Sequence, residues 1–197
     1  GLDEGARALG DLFRLFDMVW VTREGVTSPV DPQWPASNFG NPALSPDGRQ
    51  LAVTVLQDEE SQIWVKQLDR GPAAKLANMG TSPTWTPDGK GVLFSTPNGG
   101  GRGPADGSVL PREFKTAGVF LTPEYSPDGK WIVYISKGGL FVMRAEGDSA
   151  ARALLPPSRA AEYTPVISPD GRWLAYASDE SGRTEVYVRP FPDVQLA

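Results

Sequence analysis

Histidine and cysteine are both missing from this 197-residue chain. That double absence removes the usual general base, the usual catalytic thiolate and the commonest zinc ligands, and it makes a Ser-His-Asp triad impossible. Without cysteine no disulfide contributes, so the sequence is compatible with either redox compartment. No hydrophobic run is long enough to span a bilayer, so membrane insertion is not expected, and no signal peptide is read at the amino terminus. Positive charge is in short supply: 19 Lys and Arg stand against 24 Asp and Glu, a net charge of −5. A nucleic-acid backbone or an anionic membrane would call for a basic stripe, so neither is an expected partner. The glycine loop with its lysine and the catalytic-loop motif of a kinase are absent as well.

What the chain has is repetition. Ser45-Pro46-Asp47-Gly48, Thr86-Pro87-Asp88-Gly89, Ser126-Pro127-Asp128-Gly129 and Ser168-Pro169-Asp170-Gly171 are one phrase written four times, with the Asp residues 41, 40 and 42 positions apart. A period of roughly forty residues belongs to propeller-blade arrays. Within the phrase Pro presets the first corner of a turn, Asp tolerates the second, and Gly accepts the positive φ that follows, so each phrase reverses the chain between two strands. Pro42, Pro83, Pro123 and Pro165 precede the phrases and suit the start of a strand, where no ladder donor is lost.

After each corner comes a run rich in β-branched and aromatic residues: Leu51–Val55, Val92–Thr96, Trp131–Ile135 and Trp173–Ala177. Apolar side chains occupy both parities, as expected of a sheet sandwiched between two neighbours. A third strand is read at Ile63–Val65, Leu140–Val142 and Val186–Val188, with the same signature at Val19–Val21, and a weaker fourth around 73–76, 152–155 and 26–30. The expected fold is all-β: a β-propeller of about four blades, each of three or four antiparallel strands. A stacked β-sandwich is the alternative. Residues 1–17 carry Leu9, Leu12, Phe13 and Phe16 at helical spacing, which predicts a short amphipathic N-terminal helix ahead of repeats spanning 18–197. Between Thr96 and Val109 a glycine-rich stretch replaces the third-strand signature, so the second blade is expected to lack a strand or to carry a mobile loop. The two ends leave open whether 26–30 pairs with the last blade to close a small ring or whether the array exposes its edges, through which copies of the chain would associate.

The Ser-Pro-Asp-Gly-Arg/Lys corner, the Leu/Ile-Ala/Val-Tyr-x-Ser strand and the Ile-Trp-Val or Val-Tyr-Val strand together resemble the WD40-like, TolB-type propeller repeats of bacterial proteins. The resemblance covers about residues 18 to 193. The segment Ser168–Pro192 looks especially like the propellers that follow the kinase domain of some bacterial serine/threonine kinases. Relatives of the repeat also precede prolyl-oligopeptidase-type catalytic domains. The resemblance implies a non-catalytic scaffold for protein or peptide partners, or an accessory domain of a kinase or peptidase. An extracytoplasmic or periplasmic setting follows from the resemblance alone. Those rings usually have six or more blades, and this chain has four repeats.

The four corner carboxylates sit at equivalent points of different blades and do not converge, so they read as turn-formers, and no metal or cofactor is expected. Trp64, Trp85, Trp131 and Trp173 read as interblade core rather than a ligand platform. Binding then falls to loops on one rim. The loops between second and third strands and the connectors between blades place Asp58, Glu59, Glu60, Arg102, Arg159, Glu162, Asp179, Glu180 and Arg183 on the face to test first.

Overall fold

Each repeated phrase is a hydrogen-bonded corner. Ser45 Oγ donates to Asp47 Oδ1 at 2.6 Å and accepts from the Gln50 backbone N–H at 2.9 Å. The same Asp47 oxygen accepts from the Arg49 N–H at 3.0 Å, and the Gly48 N–H closes onto the Ser45 carbonyl at 2.8 Å with Gly48 at φ 69°. The pattern recurs at Thr86/Asp88, Ser126/Asp128 and Ser168/Asp170. The hydroxyl and carboxylate thus satisfy main-chain donors that the reversal takes out of the ladder.

The computed structural model describes residues 16–34, 37–116, 118–146, 151–156 and 158–194. The predicted amphipathic segment lies outside these except for Phe16 and Asp17, where Phe16 bridges to Ser37. A hairpin comes first, β1 (Val19–Val21) with β2 (Thr27–Pro29). Three complete four-stranded blades follow: β3 (Asn38–Leu44), β4 (Gln50–Gln57), β5 (Glu60–Gln67) and β6 (Ala74–Ala77); β7 (Thr81–Trp85), β8 (Gly91–Thr96), β9 (Gly99–Pro104) and β10 (Arg112–Lys115); β11 (Leu121–Tyr125), β12 (Trp131–Ser136), β13 (Gly139–Arg144) and β14 (Arg152–Ala153). The last blade is β15 (Glu162–Ile167), β16 (Trp173–Ser178) and β17 (Glu185–Pro190). All pairings are antiparallel and sequential, as the repeat predicts.

The structure corrects two expectations. The glycine-rich stretch is no missing strand: β9 pairs along its length with β8 and, through Gly99–Arg102, with β10. Its glycines make room for aromatic rings from the neighbouring strands. A methyl group on Gly100 would overlap the ring of Phe114, and one on Gly101 would overlap the ring of Phe94. The rings supply the apolar cover that β9 lacks, so the entropic cost of glycine is offset by packing.

The second correction concerns the prolines. Pro42, Pro83, Pro123 and Pro165 lie inside β3, β7, β11 and β15, not at their starts. Each sits in a bulge, where the register shifts between Gly40/Ala43, Thr81/Thr84, Leu121/Glu124 and Tyr163/Val166. Two residues there face one on the partner strand, so the missing proline N–H breaks no ladder bond. The residues before them, Asn41, Ser82, Thr122 and Thr164, take φ values of 50°, 50°, 43° and 44°, a left-handed backbone that side chains ordinarily avoid.

Blades stack through one repeated interface. The residue just before each corner faces the preceding blade, together with two side chains of the second strand. Trp85, Val92 and Phe94 pack on Ala52, Ile63 and Val65 of the first complete blade. Ile132 and Tyr134 pack on Leu93. Ile167, Leu174 and Tyr176 pack on Val133, Leu140 and Val142.

The array does not close: among the described residues β1 and β2 pair only with each other, and β15–β17 has no fourth strand. The consequence is visible in third-strand residues at equivalent register. Val65 and Val142 are 5% and 1% exposed, whereas Val188 is 59% exposed. Val186, equivalent to the buried Ile63 and Leu140, is 76% exposed. At the opposite end Leu44, which holds the position of Trp85 and Ile167, is half-exposed.

Candidate functional site

Hydrogen bonds between connectors and hairpin loops define one rim. The Gly80 N–H, entering the second complete blade, donates to the Ser61 carbonyl at 2.7 Å, and the Glu162 N–H donates to that of Gly138 at 3.0 Å. The Ala161 N–H donates to Asp179 Oδ1 at 2.8 Å. Connectors and second-to-third-strand loops therefore meet on one side, as the antiparallel blade order predicts.

Three of the nine candidates come together there. Glu162 is buried at the start of β15 and faces the Lys137–Gly138 hairpin of the preceding blade. Burial pushes its carboxyl upward, the Leu140 N–H pulls it down, and the charges of Glu180 and Asp179 push it up again. Asp179 and Glu180 open the β16–β17 loop, where the Glu180 N–H donates to Ser178 Oγ at 3.3 Å. Arg183, in the same loop, gives its guanidinium to Glu185 at 2.6 Å. Arg159 is exposed in the preceding connector.

The other candidates lie on other blades. Asp58 and Glu59 form the two-residue β4–β5 turn with φ of 50° and 67°, and Glu60 begins β5, all exposed in the first complete blade. Arg102 is on β9, and its Nη1 donates to the Ala145 carbonyl of the next blade at 2.8 Å. Its side chain is thereby a strut between blades, beside Tyr125, whose hydroxyl is pushed up by burial and drawn down by Arg102.

The four tryptophans also separate. Trp85 is buried between blades. Trp131 is half-buried beneath the Arg144 guanidinium, 3.9 Å from the ring centroid. Trp173 is exposed on the open last blade. Trp64 faces Trp34, with ring centroids 6.4 Å apart and planes inclined by 43°.

That Trp pair lines a concavity of about 480 Å³ which the sequence reading missed. Asp31 stands in its wall, tied to the buried Lys66 ammonium at 3.2 Å and accepting from the Gln33 N–H at 2.9 Å. The Gln33 N–H, with the ammonium behind it, holds the Asp31 carboxyl below its ordinary value. Lys66 also donates to the Gly71 carbonyl, so one cation pins the connector to β5. The available signal was Trp34 itself, a large aromatic in a proline-bounded connector. Among the described residues no group of three or more Asp or Glu side chains is placed to hold a metal ion.

The signature of the TolB beta propeller domain, PD40, matches residues 33–139, more than half of the chain. The chain belongs to the TolB-type β-propeller family. No curated protein gives a match. Among solved structures, a protein from Agrobacterium tumefaciens assigned as TolB aligns at TM-score 0.70 and 19% identity, over 86% of this chain and 67% of its own. TolB from Acinetobacter baumannii aligns at 0.66 and 24% identity, over 87% of this chain and 45% of its own. A prolyl endopeptidase aligns at 0.63 and 20% identity, over 90% of this chain and 31% of its own. At these identities the likeness is one of fold, and this TolB-type array spans only part of each of those proteins.

Proposed function

We propose that this TolB-type array is a non-catalytic scaffold for protein or peptide partners, and that it completes its ring by stacking its open blade faces against another copy. The observation that supports self-association is the exposure of Val186 and Val188 at positions held by the buried Ile63 and Val65 of the first complete blade and Leu140 and Val142 of the third. Valines in that register are covered wherever a following blade exists, and a contiguous exposed apolar face marks an interaction surface. Because the two ends differ, the contact is head-to-tail and generates a ring if the rotation closes. Asp179 and Glu180, above the buried Glu162, with Asp58, Glu59 and Glu60 on the first complete blade, form the face offered to a partner protein. Arg159 and Arg183 border the former, and Arg102 contributes by bracing the blades beneath. The repeat region is taken as 18–197, and an extracytoplasmic setting accords with the family.

A second reading is an accessory propeller of a peptidase or kinase. The likeness to a prolyl endopeptidase over 31% of that chain favours it, since the remainder of that protein lies outside the aligned region.

Light scattering across a concentration series separates the two. The scaffold reading expects association of the native chain, and dissociation in the Val186→Glu, Val188→Glu double variant with its far-ultraviolet circular dichroism unchanged. A native chain that stays monomeric at every concentration contradicts self-association.

A further inference from the structure

We propose that the cleft walled by Trp34 and Trp64 is a binding site for a short neutral oligosaccharide. The two indoles, with centroids 6.4 Å apart and planes inclined by 43°, form an aromatic wall of the cleft against which a ligand can stack. At about 480 Å³ the cleft is within the size range of small-molecule sites, which combine aromatic walls with a few placed polar groups. Its polar groups are Asp31, Gln33, Ser37 and Gln57.

Their chemistry selects the ligand class. The Asp31 charge is already matched by Lys66 at 3.2 Å, so the cleft offers little net charge to an ion. Glutamine amides and a serine hydroxyl each donate and accept, and the carboxylate accepts. A sugar ring presents hydroxyls that do both at its edge and C–H groups on its faces, which suit the indoles. A proline-rich peptide offers carbonyl acceptors and no main-chain donor at proline, and so uses only the donors of the glutamine amides and the serine. The carboxylate is also held before any ligand arrives: Lys66 and the Gln33 N–H fix its two oxygens, which lowers the ordering cost of binding.

The test is calorimetry and tryptophan fluorescence of the full chain with maltotriose, cellotriose and tri-N-acetylchitotriose as probes. The expected result is saturable binding of at least one trisaccharide, weakened about tenfold or more by Trp34→Ala, the loss of one aromatic contact. Asp31→Asn weakens it too, and Trp173→Ala leaves it unchanged. Trp34 lies on a connector, and circular dichroism of each variant checks the fold. Failure of all three sugars to bind overturns the proposal. So does binding that Trp34→Ala and Asp31→Asn both leave intact, or binding of a polyproline peptide in place of the sugars.

Discussion

The indole Nε1 of Trp85 donates to the main-chain oxygen of Ala43 at 2.8 Å, across the seam between the first two complete blades. Forty-two positions separate the two residues, so the bond ties one repeat to the next. Trp85→Phe keeps most of the packing but leaves the Ala43 oxygen without its donor, at an expected cost of about 1–3 kcal/mol. Trp85→Ala also empties the seam and should cost about 3–5 kcal/mol. Urea unfolding of the two variants beside the native chain measures the difference.

The corner aspartates set the acid limb of stability. Ser168 and the Arg172 N–H, then the Arg172 guanidinium, hold the Asp170 carboxyl down at about 2, and Asp47, Asp88 and Asp128 are lowered chiefly by the hydroxyls of Ser45, Thr86 and Ser126. A carboxyl lowered by folding contributes fully above its unfolded value, roughly 3.9, and loses that contribution as pH falls toward the folded value. Thermal melts should therefore decline between about pH 4 and pH 2, modestly for each corner because these carboxylates are exposed. Asp170→Asn should be less stable at neutral pH and show a shallower decline.

Glu124 behaves in the opposite sense. It lies on β11, and burial pushes its carboxyl from an ordinary 4.5 up to about 7. A group raised by folding favours the folded state at pH values below its unfolded value, and that contribution disappears as pH climbs through the folded one. Stability should fall between about pH 4.5 and pH 7 on this account. Glu124→Gln, neutral throughout, should abolish the decline and be more stable than the native chain at pH 8. A carboxyl titration followed by NMR checks the same group directly.

The glycines of β9 predict a reciprocal pair of substitutions. Gly101→Ala places a methyl against the Phe94 ring and should destabilise by about 1–3 kcal/mol through overpacking. Combining it with Phe94→Leu, which withdraws the ring, should cost less than the two single changes together. Strict additivity in a double-mutant cycle would show that ring and glycine are not coupled.

Much of this architecture was legible in sequence because the corner chemistry is local. Ser, Pro, Asp and Gly interact within six residues, so four phrases announced four corners and the strands around them. β9 was illegible for the converse reason. Its glycines look like a loop until Phe94 and Phe114, contributed by neighbouring strands, are laid over them. The bulges hid likewise: proline's missing donor was recognised, but only the register of the partner strand distinguishes a strand start from an interior bulge. At the rim, Glu162 and Asp179 read in sequence as loop charges, and their proximity depends on a connector that folds beside the preceding blade. Trp34 and Asp31 are not legible because their partners, Trp64 and Lys66, lie 30 and 35 residues further on in the chain, and nothing in local spacing joins them.

The central claim is that the first and last blades carry two halves of one interface. Trp85 meets Ala43 inside the chain; the residues holding those positions at the open ends are Leu44 and Val166, 52% and 56% exposed. The native chain has no cysteine, so a Leu44→Cys, Val166→Cys double variant reports their meeting without background. Oxidation followed by non-reducing electrophoresis should give disulfide-linked multimers of the double variant, while each single variant gives at most a dimer. Monomers alone, under conditions in which both thiols remain titratable, would contradict it.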